Sequence, residues 1–207
     1  MKTKISWLVC AAVFLTGWQG AQAALIPNVT VSTNMLSVTG NVNNIINGSG
    51  LPGNVPALTG THAFPNASNI WASGYETGYV IFDLHDSYYV SGISIWPFNG
   101  NNQICVKDIQ MLSSTTGSSY TAIPGTPTVL PQGANAQPVN PVYYGFPTIQ
   151  ATHIRFNILS NYGYVSPSGW RYSGFAEVQL DGVPVPEPAS LVLLALGSLA
   201  MIHRRRK

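Results

Sequence analysis

The chain has 207 residues, of which 45% are hydrophobic and 8% are charged, and its formal net charge is +2. The positive charge lies at the two ends. Residues 24–183 contain only three Lys/Arg (Lys107, Arg155 and Arg171) against six Asp/Glu, which gives a formal charge of −3. A weakly acidic body with three scattered cations cannot neutralise many phosphates, so no nucleic acid partner is expected.

The N-terminus has the three parts of a secretory signal peptide. Lys2 and Lys4 precede an apolar stretch over 5–17, and Ala21-Gln22-Ala23 is a small-x-small cleavage signal. We therefore expect residues 1–23 to be removed and Ala24 to begin the mature chain.

Removal of that segment leaves Cys105 as the one cysteine of the mature chain, because Cys10 leaves with it. An intramolecular disulfide is therefore excluded. A cysteine between Ile104 and Val106 is most often a small buried hydrophobe, and a reactive or intermolecular thiol is the alternative.

Residues 24–183 are predicted to form one domain of short β-strands. Turn-forming residues predict a long loop over 40–78, and five prolines limit 124–141 to short edge segments. No segment between the two ends has helical periodicity, so the predicted fold class is an all-β antiparallel β-sandwich. Alternation and turn clusters predict strands over 28–39, 79–84, 88–96, 107–113, 120–123, 153–158 and 175–180.

Two further features of these strands concern single residues. Gly92 is expected to mark a bulge before the apolar positions Ile93 and Ile95. Trp71 and Trp96 are expected to lie in the core.

The tail, residues 184–207, combines a proline-rich triplet, an apolar run and a basic end. The run over 189–202 has 14 residues. At about 1.5 Å each it spans roughly 21 Å, less than the bilayer core of about 30 Å, so it predicts a marginal and removable anchor. A buried C-terminal helix is the alternative. The marker residues of the two polar ends are Pro186, Glu187, Pro188, Arg204, Arg205 and Arg206.

This order of triplet, span and cations resembles the PEP-CTERM sorting signal. The resemblance implies an exosortase as the partner that processes the tail, with the apolar run held transiently in the inner membrane. It also implies a Gram-negative bacterium as the host and delivery to the cell envelope or the extracellular polymer. The protein is thus expected to be exported through its signal peptide.

Several short motifs in the body resemble a discoidin-type (coagulation factor type C, galactose-binding-like) domain over residues 41–182. The resemblance implies an eight-stranded jelly roll whose loops at one end bind ligands, commonly sugars or lipid headgroups, often with a structural Ca²⁺. The motifs are Asn44-Ile45-Ile46-Asn47-Gly48, Trp71-Ala72-Ser73, Val80-Ile81-Phe82-Asp83-Leu84, Ile93-Ser94-Ile95-Trp96, Val106-Lys107-Asp108-Ile109, Ile154-Arg155-Phe156 and Ala176-Glu177-Val178.

The resemblance leads to a calcium hypothesis, because Ca²⁺ prefers oxygen ligands from carboxylates, amides and carbonyls. Asn47 and Glu177 would provide side-chain oxygens and the 44–50 loop would add carbonyls, which would fix that loop to the last strand. The alternative is that Glu177 only accepts backbone hydrogen bonds. Asn47 stands where such domains often have Asp, which weakens the calcium expectation.

Two loops carry the residue types that bind sugars. Sugar binding needs flat apolar faces to stack on pyranose C–H groups and planar polar groups to recognise hydroxyls. The alternative is that these aromatic residues pack the loops together. The candidates are Phe98, Asn99 and Asn102 after one strand, and Tyr162, Tyr164, Trp170, Arg171 and Tyr172 in the 161–173 loop.

No catalytic motif is visible in the sequence. His62, His85 and His153 are widely spaced, and neither a GxSxG elbow nor a glycine-rich phosphate loop occurs. We therefore expect a non-catalytic carbohydrate-binding protein of the envelope or extracellular matrix. The alternative is a structural surface protein without a small-ligand site, which would show a closed loop end or a long exposed edge strand.

Overall fold

The computed structural model describes residues 24–186, which form eight β-strands and three short 3₁₀ segments. The signal peptide and the hydrophobic C-terminal helix expected from the sequence lie outside these residues. No helix within 24–186 is long and apolar enough to cross a membrane. The strands are β1 (Thr30–Thr33), β2 (Ser37–Thr39), β3 (Trp71–Ser73), β4 (Gly78–Pro97), β5 (Ile109–Ser114), β6 (Thr121–Ala122), β7 (Val142–Ile158) and β8 (Gly174–Pro184).

All strand pairs are antiparallel, and the strand order is β2-β3-β8-β4-β7-β5-β6, with β1 paired to β4. The first part of β4 pairs with β1 and the end of β7, whereas its second part pairs with β8 and the start of β7. These two long strands therefore pass through both layers. The result is the antiparallel sandwich of jelly-roll type that the sequence predicted.

The core lies between the layers. The rings of Phe82 and Phe156 meet edge to face with centroids 5.0 Å apart, and Phe156 lies 6.2 Å from Phe175 of β8. Trp71 and Trp96 are fully buried, as predicted. Burial of each such side chain contributes on the order of 2 kcal/mol to stability.

Cys105 is buried, as the sequence predicted. Its thiol donates to the carbonyl oxygen of Phe98 at 2.9 Å and accepts from the Gly133 amide at 3.2 Å. Burial raises the pKa of the thiol to about 11, so it stays protonated at neutral pH.

Three predicted boundaries differ from the structure. The strand predicted over 28–39 is two strands, and the two strands predicted over 79–96 are joined in β4 with an irregularity between Asp83 and Tyr88. Strand β7 begins at Val142, eleven residues before the predicted start, because its exposed first half lacks a repeated apolar pattern. The bulge predicted at Gly92 is confirmed by a register shift between Val90 and Gly92.

Strand β8 carries a set of buried polar side chains. Every residue from Gly174 to Gly182 is buried, because β8 lies between β3 and β4 and is covered on both faces. Three of these buried residues, Glu177, Gln179 and Asp181, are polar and alternate along the strand. Alternate residues of a strand share a face, so β8 presents a row of polar groups to the segments that cover it.

The loop predicted over 40–78 includes the short strand β3, and this part of the prediction is wrong. The 40–70 region before that strand contains no strand but is tightly ordered. The Asn44 side chain donates to the carbonyl oxygens of Ala67 and Ile70 at 3.1 and 3.0 Å, which ties the start of the region to its end. His62 is fully buried, and burial lowers its pKa below the ordinary 6.5. The long predicted loop is therefore a packed cover over the sheet.

Candidate ligand-binding surface at the loop end

The two loops selected from the sequence lie side by side at one end of the sandwich. The Tyr162 amide donates to the carbonyl oxygen of Gln103 at 3.1 Å. Phe98 belongs to a second apolar cluster, which also contains Trp96 and Ile104. Tyr162, Tyr164 and Tyr172 pack against the outside of that cluster. The sequence thus selected loops that are neighbours in space, although 60 or more residues separate them.

Phe98 and Asn99 form the inner layer of this end and do not face solvent. Phe98 is 3% exposed and Asn99 is 0% exposed. The Asn99 amide donates to the carbonyl oxygens of Ala63 and Gln137 at 2.9 and 2.7 Å. The prediction that these two side chains contact a ligand is wrong, because burial makes them inaccessible at the surface.

Asn102 remains partly exposed. Its carbonyl oxygen accepts from the Gln132 side chain at 3.2 Å, and it begins the 3₁₀ segment Asn102–Ile104. Its side chain is therefore accessible beside the 161–173 loop.

Trp170 is the most exposed aromatic residue of the 161–173 loop, at 56%. Its backbone is held by a tight turn. The Ser166 amide donates to the Trp170 carbonyl oxygen at 2.7 Å, and the Trp170 amide donates to the Ser166 hydroxyl oxygen at 3.0 Å. The indole is therefore carried on an ordered turn while its face stays in solvent.

A stacked tyrosine pair lies beside this turn. The rings of Tyr164 and Tyr172 are 5.2 Å apart at 29°. The buried Asn161 side chain donates to the carbonyl oxygens of both, at 3.3 and 2.7 Å, which closes the base of the loop. The Tyr162 hydroxyl donates to the Leu130 carbonyl oxygen at 2.6 Å, so Tyr162 anchors the loop and presents less of its ring to solvent than Trp170 does.

Arg171 pairs with a residue that the sequence did not indicate. Its Nη1 lies 3.3 Å from both carboxylate oxygens of Glu76, and the Ser173 hydroxyl donates to the Glu76 carbonyl oxygen at 2.6 Å. Tyr75, next to Glu76, is also exposed. No local pattern in the sequence indicates this contact, because Glu76 lies in a turn-rich segment 95 residues from Arg171.

The two residues of the calcium hypothesis differ in their surroundings. Asn47 is exposed, and its side-chain oxygen accepts from the Ser49 amide at 2.9 Å. Glu177 is 0% exposed. Its Oε1 accepts from the Gly48 amide at 3.0 Å and from Gln179 at 2.5 Å, whereas its Oε2 has no partner among the described residues.

Glu177 therefore fixes the 46–50 loop to β8 by direct hydrogen bonds, as the alternative interpretation expected. Burial raises the pKa of its carboxyl group to about 8, with the Gly48 and Gln179 hydrogen bonds opposing that rise. The unpartnered Oε2 also fits a cation ligand. Within 24–186 no group of three or more His, Cys, Asp or Glu is arranged around a metal position, so the remaining ligands would have to be carbonyl and amide oxygens.

Two histidines that looked isolated in the sequence approach the same carboxylate. His153 Nε2 lies 3.6 Å from Asp83 Oδ1, and His85 Nδ1 lies 3.9 Å from Asp83 Oδ2. Antiparallel pairing of β4 and β7 places Asp83 opposite His153. Both distances exceed that of a hydrogen bond, so this cluster is a loose group of ionisable side chains outside the loop end.

Three of the solved structures that match this fold are named as family 32 carbohydrate-binding modules. One is CpGH89CBM32-5 from Clostridium perfringens, in complex with GalNAc-β-1,3-galactose, with 15% identity, coverage of 77% of this chain and 99% of that one, and a TM-score of 0.55. Another is the family 32 module of C. perfringens NanJ in complex with galactose, with 16% identity, coverage of 77% and 97%, and a TM-score of 0.52.

A third is CBM32-3 from a C. perfringens family 31 glycoside hydrolase, with 19% identity, coverage of 78% and 95%, and a TM-score of 0.53. At such identities the likeness concerns the fold. The body is thus a discoidin-like β-sandwich of the kind found in family 32 carbohydrate-binding modules.

The tail carries a PEP-CTERM protein-sorting motif over residues 184–207, as the sequence analysis predicted. The motif indicates an exported, envelope-associated protein and implies processing by an exosortase. Comparison with curated proteins gives no match.

Proposed function

We propose that the protein binds extracellular carbohydrate, without catalysis, at a surface formed by Tyr164, Trp170, Arg171 and Tyr172. The exposed indole of Trp170 on its hydrogen-bonded turn is the observation that carries this proposal. A flat apolar face held in solvent matches the C–H face of a pyranose ring, and it costs little entropy to order on binding.

The charged pair beside the indole supplies the polar part of the surface. Arg171 offers guanidinium donors and Glu76 offers acceptor oxygens, which together match the mixed donors and acceptors of sugar hydroxyls. Because the two charges compensate each other, the surface favours neutral hexoses or N-acetylhexosamines over uronic acids. Asn102 lies at the partly exposed border of the neighbouring loop and adds an amide.

The matching solved structures support this class of ligand. Two of them are complexes, one with galactose and one with GalNAc-β-1,3-galactose. The proposed surface is defined by the residues of this chain. Which sugar it selects is an experimental question.

A glycan array, followed by calorimetry on the best neutral oligosaccharide, tests the proposal on chain 24–207 in mild detergent. Trp170→Ala is expected to weaken binding about tenfold or more, because it removes the stacking face. Val165→Ala is the matched control, since Val165 is an exposed apolar residue of the same loop. Equal affinity in wild type and Trp170→Ala would refute the proposed surface.

The structural alternative is self-association along a sheet edge. The sheet path ends in β2 and β6, which have three and two residues. These short strands offer few unpaired backbone groups to another chain. The first half of β7, Val142–Ala151, pairs within 24–186 only with β4, so its other edge is where such an association would occur.

We further propose that the signal peptide exports the chain in a Gram-negative bacterium and that the tail anchors it transiently in the inner membrane before exosortase cleavage. The sorting motif and the basic C-terminal cluster support this route. Fractionation of the native host is expected to yield chains that lack both ends in the envelope or medium. Intact 207-residue chains in the cytosol would contradict it.

A structural Ca²⁺ is proposed at Glu177. The ion would be held by the free Glu177 oxygen and by carbonyl oxygens of the 44–50 loop, with the Asn47 amide oxygen as a further ligand. Thermal melts with EDTA or Ca²⁺ test it. Ca²⁺ is expected to raise the melting temperature of the wild type and not that of Glu177→Gln, and identical melts in both conditions would exclude a bound ion.

A further inference from the structure

The first described residues form an additional strand segment along β8. The Ile26 amide donates to the Leu180 carbonyl oxygen and the Gly182 amide donates to the Ala24 carbonyl oxygen, both at 2.9 Å. Leu25 pairs with Asp181 in an antiparallel bridge. Ile26 is buried in the main core. The chain is therefore fixed to the sheet from Ala24 onwards.

Asp181 accepts two hydrogen bonds in this place. The Ala24 nitrogen donates to its Oδ1 at 2.6 Å, and the Tyr143 hydroxyl donates to its Oδ2 at 2.6 Å. Asp181 is only 2% exposed. Within 24–186 an ion pair joins Arg171 to Glu76, the histidines His85 and His153 approach Asp83, and none of these contacts includes Asp181.

A buried carboxylate without a cation is expensive, because desolvation removes its hydration without a compensating charge. Tyr143 cannot supply that charge. Burial first, and then the hydrogen bond to Asp181, raise the pKa of its hydroxyl to about 12, so it remains a neutral donor. The one remaining group at the carboxylate is the Ala24 nitrogen.

Two glycines make room for this arrangement. A side-chain carbon on Gly92 would lie 2.1 Å from the Tyr143 hydroxyl, and one on Gly182 would lie 2.6 Å from the Tyr89 carbonyl oxygen and 3.0 Å from the Ile26 side chain. Tyr143 can therefore cross β4 to reach Asp181 only because Gly92 has no side chain. The Asp181 carboxylate, the Tyr143 hydroxyl and the segment that begins at Ala24 are therefore held together in one hydrogen-bonded cluster.

We propose that Asp181 is the receptor for the N-terminus created when the Ala23–Ala24 bond is hydrolysed, and that leader removal thereby completes a partly buried ion pair. A signal peptidase adds one water to the peptide bond. The Ala23 carbonyl carbon receives the oxygen and becomes a carboxylate, and the Ala24 nitrogen receives the protons and becomes an ammonium. The ammonium keeps the hydrogen bond to Asp181 and adds the missing positive charge.

Removal of the leader thus changes the stability of the folded domain. With the leader attached, the Ala24 nitrogen is a neutral amide with a single hydrogen atom, and Asp181 is left without a counter-charge. After cleavage, a charge-assisted hydrogen bond replaces the neutral one. The mature fold is thus more stable than the same domain with residues retained before Ala24.

Four proteins test the inference in the same mild detergent. Chain 24–207 has a free Ala24 amine, whereas chain 20–207 retains Gly20–Ala23 and so displaces the amine by four residues. Each is prepared with Asp181 and with Asp181→Asn. With Asp181 present, chain 24–207 is expected to melt about 4 °C or more above chain 20–207. With Asp181→Asn, that difference is expected to vanish.

Equal melting temperatures in the two Asp181 proteins would overturn the proposal, and so would a difference that survives Asp181→Asn. If Asp181→Asn does not fold, amine labelling of the two wild-type chains provides an independent measurement. The Ala24 amine of chain 24–207 is expected to acylate at least about tenfold more slowly than the Gly20 amine of chain 20–207. Equal labelling rates would also overturn the proposal. Carbohydrate binding plays no part in either experiment.

Discussion

The loop end contains two layers that look alike in sequence and differ in exposure. The inner layer, Phe98, Asn99 and Glu177, is buried, whereas the outer layer is made by Trp170, Arg171 and the Tyr164–Tyr172 pair. Both layers combine aromatic and ionisable side chains. The difference teaches that residue type alone does not separate groups that hold this end together from groups that can bind a ligand.

The largest expected effect comes from truncating the inner layer. Phe98→Ala removes a buried ring from the cluster around Trp96 and Ile104, and it is expected to lower the free energy of unfolding by about 3–5 kcal/mol. Trp170→Ala is the matched aromatic truncation in the outer layer, with an expected cost under about 1 kcal/mol. Denaturant melts of both variants measure the contrast. Similar losses in both would abolish the distinction between the layers.

The second effect is the pH dependence caused by Glu177. Its folded pKa of about 8 exceeds the ordinary value of 4.5, so the folded state binds the proton more tightly than the unfolded chain. Without metal, the protonated carboxyl group stabilises the fold fully below about pH 4.5, and that contribution is lost as the pH rises towards 8. Between pH 5 and 7.5 the expected loss is about 3 kcal/mol.

Melts in EDTA across this range measure the slope. Glu177→Gln keeps the shape of the side chain and cannot titrate, so its stability is expected to change less with pH than that of the wild type. Parallel curves for the two proteins would show that Glu177 does not titrate in this window.

The smallest expected effect on stability comes from the charged pair of the outer layer. Arg171→Ala breaks a contact with Glu76 in which the arginine side chain is about half exposed, and exposed pairs contribute about 0–1 kcal/mol. The same change is expected to weaken sugar binding severalfold, because it removes the guanidinium donors. Arg155→Ala is the control, since that guanidinium stacks on Tyr79 outside this surface. Unchanged affinity in Arg171→Ala would exclude the pair from the sugar contact.

Local patterns were sufficient to predict much of the fold. Alternation predicted a strand over 107–113, and the structure has β5 there, with Ile109 and Met111 buried. The start of β7 was missed because strands that are exposed on one face carry little apolar signal until they reach the core. The boundary between β1 and β2 was missed because the turn at 34–36 lacks glycine and proline.

The candidate site was predicted in part for the same reason. The sequence identified the right loops, and the structure places them together. The sequence could not show that Phe98 is buried while Trp170 is exposed. Phe98 follows a strand and Trp170 lies in a loop, and both have glycine and polar residues as sequence neighbours. Exposure depends on what the rest of the chain leaves uncovered.

Features that are contiguous along the chain could be predicted from the sequence: the sorting tail over 184–207, the acidic charge of the body, and the alternating strands of an all-β fold. The contacts between residues that are distant along the chain could be identified only from the tertiary structure. Arg171 meets Glu76 across 95 residues, and Ala24 meets Asp181 across 157. Periodicity reports on neighbours along the chain, whereas such pairs depend on how β8 is covered from both faces, which no local pattern encodes.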